Sequence, residues 1–196
     1  MKNQELLSLV LGFGLVGCGA AGSTADLALM DAPPAGVTAV VIQVAAMQVH
    51  VDDDNDDNSG SNSGPSIDDD DRWESLSVNR SIDLVQHQGE TAAELLGQLP
   101  LPPGKITQIR LVIDTAGENY AVKGGQRCSL DTSKVAKKGI KIEHPFKAWK
   151  SVKDTKHFIL VDVDLERSLN AKGDCFELDP KIELKKVKID DKDFPL

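Results

Sequence analysis

The chain has 196 residues, of which 40% are hydrophobic, 4% aromatic and 27% charged, with a formal net charge of −9. An acidic chain lacks the basic face that phosphate neutralisation demands, so no nucleic-acid partner is expected. Only the first seventeen residues hold a long apolar run, which excludes a polytopic membrane protein. The charge is localised: residues 52–71 hold nine of the 31 acidic residues and no basic one, and the other 22 balance the 22 Lys plus Arg.

Residues 1–17, MKNQELLSLVLGFGLVG, read as an export signal. The apolar stretch Leu6–Gly17 is about a dozen residues long, within the range of a signal h-region and well short of the roughly 20 a spanning helix needs. It ends in Leu15-Val16-Gly17-Cys18, which resembles the bacterial lipobox, so Cys18 is expected to become an acylated N-terminus. Two or three acyl chains at roughly 0.8 kcal/mol per buried methylene hold a protein on a bilayer. The small residues Gly19–Thr24 suit a flexible tether (residues 18–25), and with no Asp among them an outer-membrane or cell-surface location is favoured. In an oxidising compartment the remaining cysteines, Cys128 and Cys175, form an even pair, so a disulfide is expected; neither has the CxxC partner of a zinc site.

From residue 26 to 190 the apolar residues alternate, as in a single β domain followed by a tail over 191–196. Val37–Val51 changes its inward set from Val40, Ile42, Val44 to Met47, Val49, Val51 near Ala45-Ala46, which predicts a bulge. Ile109, Leu111 and Ile113 form another inward set, as do Ile159, Val161, Val163 and Leu165 within Phe158–Leu165. Gly139–Ala148 alternates Ile140, Ile142, His144, Phe146 and Ala148 against polar neighbours. Phe176–Leu184 alternates likewise and slips phase at Lys185-Lys186, predicting a second bulge before Val187 and Ile189. Shorter strands are expected at Leu27–Met30, Trp73–Leu76, Ser81–Val85 and Tyr120–Lys123. Thr91–Gln98 alone reads as a helix, with Thr91 and Glu94 as a capping box. The fold expected is an all-β, antiparallel two-sheet sandwich, immunoglobulin- or transthyretin-like, with one short helix.

Several ordered segments carry a family resemblance. They are Met30-Asp31-Ala32-Pro33, Val37-Thr38-Ala39-Val40, Gln48-Val49-His50, Ile82-Asp83-Leu84, Leu99–Lys105, Gln108–Leu111, Gly139–Ile142, Val161–Asp164 and Leu178–Ile182. Together they resemble the bacterial and archaeal lipoprotein family known as domain of unknown function 4382. The resemblance implies an exported, β-rich, often lipid-anchored domain and carries no assigned activity. The cysteine pair and the acidic insertion depart from the family's usual pattern.

Candidate chemistry is sparse. Asp52, Asp54, Asp56 and Asp57 lie on a Gly/Ser-rich stretch that could offer oxygens to Ca²⁺, which takes six to eight. Against this, Asp57 stands where an EF-hand needs Gly and Ser63 where it needs Glu, so a solvated acidic loop is the competing reading. Asp162 and Asp164 are roughly 6.5–7 Å apart by strand rise, overlapping the carboxylate spacing of inverting glycosidases; same-strand neighbours seldom flank a substrate. His144 reads as a core residue, and His50 adjoins the aspartates. Trp73, Trp149 and Tyr120 could stack on sugars. No HExxH, GxSxG, P-loop or dinucleotide motif is present. The expectation is a non-catalytic, lipid-anchored envelope module with no cofactor unless Ca²⁺, serving a protein or glycan partner. A carbohydrate-binding module is the alternative and a glycoside hydrolase the third.

Overall fold

The computed structural model describes residues 22–31, 35–52, 73–142 and 146–196. Among the described residues, fourteen strands and one short helix follow in order. They are β1 (Ser23–Asp31), β2 (Val37–Asp52), β3 (Trp73–Asp83), β4 (Glu94–Leu101), β5 (Gly104–Ile113), β6 (Tyr120–Lys123), β7 (Gln126–Ser129), β8 (Ile140–Lys141), β9 (Trp149–Ser151), β10 (Lys156–Val163), α1 (Leu165–Ser168), β11 (Leu169–Lys172), β12 (Cys175–Leu178), β13 (Ile182–Ile189) and β14 (Lys192–Phe194). Ser23–Ala25, placed in the tether by sequence, already belong to β1, and the 191–196 tail contains β14.

Two sheets make an all-β sandwich. One runs β14-β13-β10-β1-β4; the other runs β7-β6-β2-β5-β8, with β3 beside β2 and β9 beside β5. Pairing is antiparallel except between β1 and β10, which are parallel. The long β2 organises the second sheet. On one side it pairs with β3; on the other it pairs first with β6 along Val37–Val41 and then with β5 along Val44–Asp52.

The inward rows are those the alternation predicts. Val40, Ile42, Val44, Met47 and Val49 are fully buried, as are Ile109, Leu111, Ile159, Val161 and Leu165. Both bulges occur where the phase changes. Val44 pairs with Ile113 and Ala46 with Val112, leaving Ala45 as the extra residue. Leu160 pairs with Lys186 and Val161 with Leu184, leaving Lys185 as the other. Without them one half of each strand would turn its apolar side chains to water.

Three local expectations are corrected. Thr91–Gln98 is not a helix: Glu90–Ala92 is a single 3-10 turn and Glu94 onward is β4. Leu96 is buried as an extra residue in the ladder, where Leu27 pairs with Gly97 and Ala28 with Leu95, so strict alternation is broken there. Gly97 sits at φ 152° in this kink, a conformation that costs glycine little. The short helix is α1 instead, capped by Asp164, whose carboxylate accepts from the Arg167 amide at 2.9 Å. The predicted strand 139–148 is reduced to the two residues of β8, followed by β9; residues 143–145, with His144, lie outside the described residues. The run from Phe176 breaks at Asp179-Pro180 into β12 and β13, since proline cannot donate to a ladder.

Candidate functional site

The end of β2 and the start of β3 bracket residues 53–72, and the outer face of the sheet at this end holds a polar cluster. In β2, Met47, Val49 and Val51 point inward, so Gln48, His50 and Asp52 point outward. Cross-strand register sets Trp73 and Gln108 on either side of His50, and Ser75 and Arg110 on either side of Gln48. The Arg110 guanidinium carbon lies 3.7 Å from the centroid of the Trp73 ring. The His50 ring meets the same indole with centroids 4.9 Å apart and planes tilted by 60°. His50 Nδ1 shares a hydrogen bond of 2.9 Å with Thr107 Oγ1 and lies 3.1 Å from Asp52 Oδ1. Gln48, Trp73, Arg110 and Lys138 line a recess of about 220 Å³.

Arg110 is only 8% exposed. Among the described residues no hydrogen-bond acceptor or carboxylate meets its guanidinium, and its Nε is buried without a partner, as is the Trp73 indole nitrogen. Buried arginines are ordinarily paired, because desolvating an unpaired charge is costly. The cation–π contact offsets part of that cost, about 1–2 kcal/mol when desolvated.

Of the calcium candidates, Asp52 is described, at the end of β2; Asp54, Asp56 and Asp57 lie outside the described residues, as does Cys18. Among the described residues no three His, Cys, Asp or Glu side chains come together as a metal site, and no helix is long and apolar enough to cross a membrane.

The aromatic candidates are not brought together. Trp149 is in the core at 3% exposure, between Phe146 and Phe194. Tyr120 lies under Arg127, whose guanidinium carbon is 3.7 Å from its ring centroid. Along β2, Tyr120 pairs with Val41 and Trp73 with His50, nine positions or about 30 Å apart.

Asp162 and Asp164 sit in separate environments. Asp164 caps α1. Asp162 lies beside Met30, with Lys185 Nζ at 3.7 Å. Burial raises its carboxyl pKa above the ordinary value; Lys185 opposes the shift, and Asp164 and Glu183 add to it. His157 is fully buried, sharing a hydrogen bond of 3.0 Å between its Nε2 and Thr155 Oγ1, and burial lowers its pKa.

The disulfide expected from the cysteine count is present. Cys128 and Cys175 join β7 to the β11–β12 hairpin, with Cα atoms 5.6 Å apart. The Asp131 amide donates to Phe176 O, the Leu178 amide donates to Asp131 O, and Lys172 bonds to the carboxylates of Asp131 and Glu177. The hairpin is therefore clipped to the edge of the second sheet.

A family model described as a domain of unknown function, DUF4382, matches residues 22–180. The chain belongs to the DUF4382 family. The DUF4382 match begins one residue before β1, so the folded body carries the family pattern. It ends before β13, although β13 supplies the buried Leu184 and Val187 to the core. No curated protein and no solved structure matches the chain.

Sequence reasoning missed Arg110 and Asn119. In the alternation Arg110 reads as an ordinary outward residue between Ile109 and Leu111; only the approach of Trp73 and the 136–141 segment buries it. Asn119 reads as a turn residue, yet its side chain joins the turn to β2.

Proposed function

We propose that this chain is a lipid-anchored, non-catalytic binding module of the bacterial cell envelope. The observation that carries this reading is the way the chain enters the sandwich. Ser23, five residues after Cys18, is already fastened: its hydroxyl bonds to that of Ser151, and the Thr24 amide donates to Thr155 O at 3.1 Å. Five extended residues reach at most about 17 Å, so an acyl group on Cys18 would hold this end of the sandwich against the bilayer.

The base of the acidic stretch lies at the same end. Asp52 pairs with Lys105, and Gly104 pairs with Ser151. A Cβ on Gly104 would stand 2.5 Å from Asp52 O, so glycine is needed for the two strands to meet there. In this reading, carboxylates of residues 52–71 recruit Ca²⁺ or a basic partner surface close to the headgroups.

Globomycin treatment of the native host tests the anchor. Precursor should accumulate, and mass spectrometry of untreated protein should find a diacylglyceryl Cys18 at the N-terminus. Unaltered processing, or an unmodified thiol at Cys18, would overturn the anchoring. Calorimetric titration with Ca²⁺ tests the acidic stretch. Saturable heat should vanish when residues 53–71 are replaced by a Gly-Ser linker, and no heat from the native chain would remove calcium from the reading.

A further inference from the structure

We propose that the recess of Gln48, Trp73, Arg110 and Lys138 is a binding subsite for a carboxylate group of an acidic, uronate-containing glycan. The inference deepens the reading of the chain as a binding module, but it does not depend on the lipid anchor.

The recess is rich in donors. Arg110 brings five N–H groups in a planar fork, and none has an acceptor among the described residues. The buried Trp73 indole N–H is also without one, and Lys138 adds an ammonium group on the rim. Stacking on Trp73 fixes the plane of the guanidinium, so less entropy is lost when a ligand binds. A planar fork held in one orientation matches a carboxylate through two parallel N–H···O bonds, which are short and charge-assisted.

The surrounding surface favours a sugar acid over an acidic peptide. Beside Arg110 the same face presents the amide of Gln48 and the hydroxyls of Ser75 and Ser77, which suit sugar hydroxyl groups. Among the described residues, the exposed large hydrophobic ones that could seat a peptide side chain, Leu95, Val152 and Leu196, are elsewhere. The sugar would not stack on Trp73, whose ring already meets Arg110 and His50; the aromatic residue positions the cation and the cation meets the ligand.

The test uses the ¹⁵N-labelled full mature chain at 150 mM salt, following the Nε–Hε signal of Arg110 and the two indole signals during titration with oligogalacturonate. The Arg110 and Trp73 signals should shift saturably while that of core Trp149 stays in place. Methyl-esterified oligogalacturonate, which lacks the charge, should shift neither. Arg110→Lys should weaken binding at least tenfold. Lys138→Gln, at an exposed position on the rim, should weaken it about threefold, which tests the proposal separately if the arginine variant folds poorly. Absence of a saturable shift, or equal binding of the ester, overturns the proposal. Equal binding of inorganic phosphate or of poly-glutamate overturns the glycan assignment. An Arg110 signal that moves when residues 53–72 become a Gly-Ser linker, yet ignores oligogalacturonate in both proteins, also overturns it. Failure of lipidation leaves these readouts unchanged, and failure here leaves the anchor standing.

Discussion

The Asn119 side chain takes the place of a main-chain partner for Gln43: the Gln43 amide donates to Asn119 Oδ1 at 2.9 Å. Its Nδ2 in turn donates to Asp114 O at 2.9 Å and to Gly117 O at 3.0 Å. β5 and β6 lie end to end along β2, and between them the Asp114 amide donates to Gln43 O at 2.8 Å while the Asn119 side chain takes the Gln43 amide. Asn119 is 5% exposed, so groups it abandons find no water. Asn119→Ala should destabilise the fold by about 2–3 kcal/mol, read as a lower urea midpoint with unchanged slope. An unaltered midpoint would refute the bridging role.

The Cys128–Cys175 bond closes 47 residues of sequence separation, for which chain entropy gives roughly 4 kcal/mol. Reduction, or the double change Cys128→Ala with Cys175→Ala, should lower stability by about 2–4 kcal/mol. Loss of protection should be greatest in β11 and β12, measured by hydrogen exchange. Equal loss across both sheets would show that the bond holds more than the hairpin.

His157 makes stability depend on pH. Burial lowers its pKa, with Asp190 acting in the opposite sense, so the folded state holds it neutral where the unfolded chain takes up a proton. Stability is therefore full above about 6.5, the unfolded value, and is lost as pH falls toward the folded pKa. Thermal midpoints should fall between pH 7.5 and 5, and His157→Gln should flatten that slope. A slope identical in the variant would assign the effect elsewhere.

Asp162 has the opposite sign. Its raised pKa means that the folded state retains a proton the unfolded chain has released, so its contribution worsens as pH rises through the unfolded value of 3.8. Its Oδ1 is buried without a hydrogen bond. Asp162→Asn should be neutral or stabilising by up to about 1 kcal/mol at pH 7, by chemical denaturation. If hydrolysis of a chromogenic glycoside is found and this change abolishes it, the residue is catalytic and the structural account of it fails.

Alternation of apolar residues was enough to determine the sandwich class, the inward rows of β2, β5 and β10, and the bulges at Ala45 and Lys185, because a period of two permits only one buried face. The disulfide followed from setting Cys18 aside as the expected acylation site, which leaves Cys128 and Cys175 as an even pair. Tertiary structure decided what depends on neighbours distant in sequence. A bulge at Leu96 breaks the alternation of β4, and only pairing with β1 reveals the segment as extended. Asp164 is a cap because Arg167 turns back to it. Trp73 and Arg110 are 37 positions apart, and neither position carries a local sign of the other. It is β2, lying between their strands, that sets a cation against an indole, and the contact helps to withdraw the cation from water.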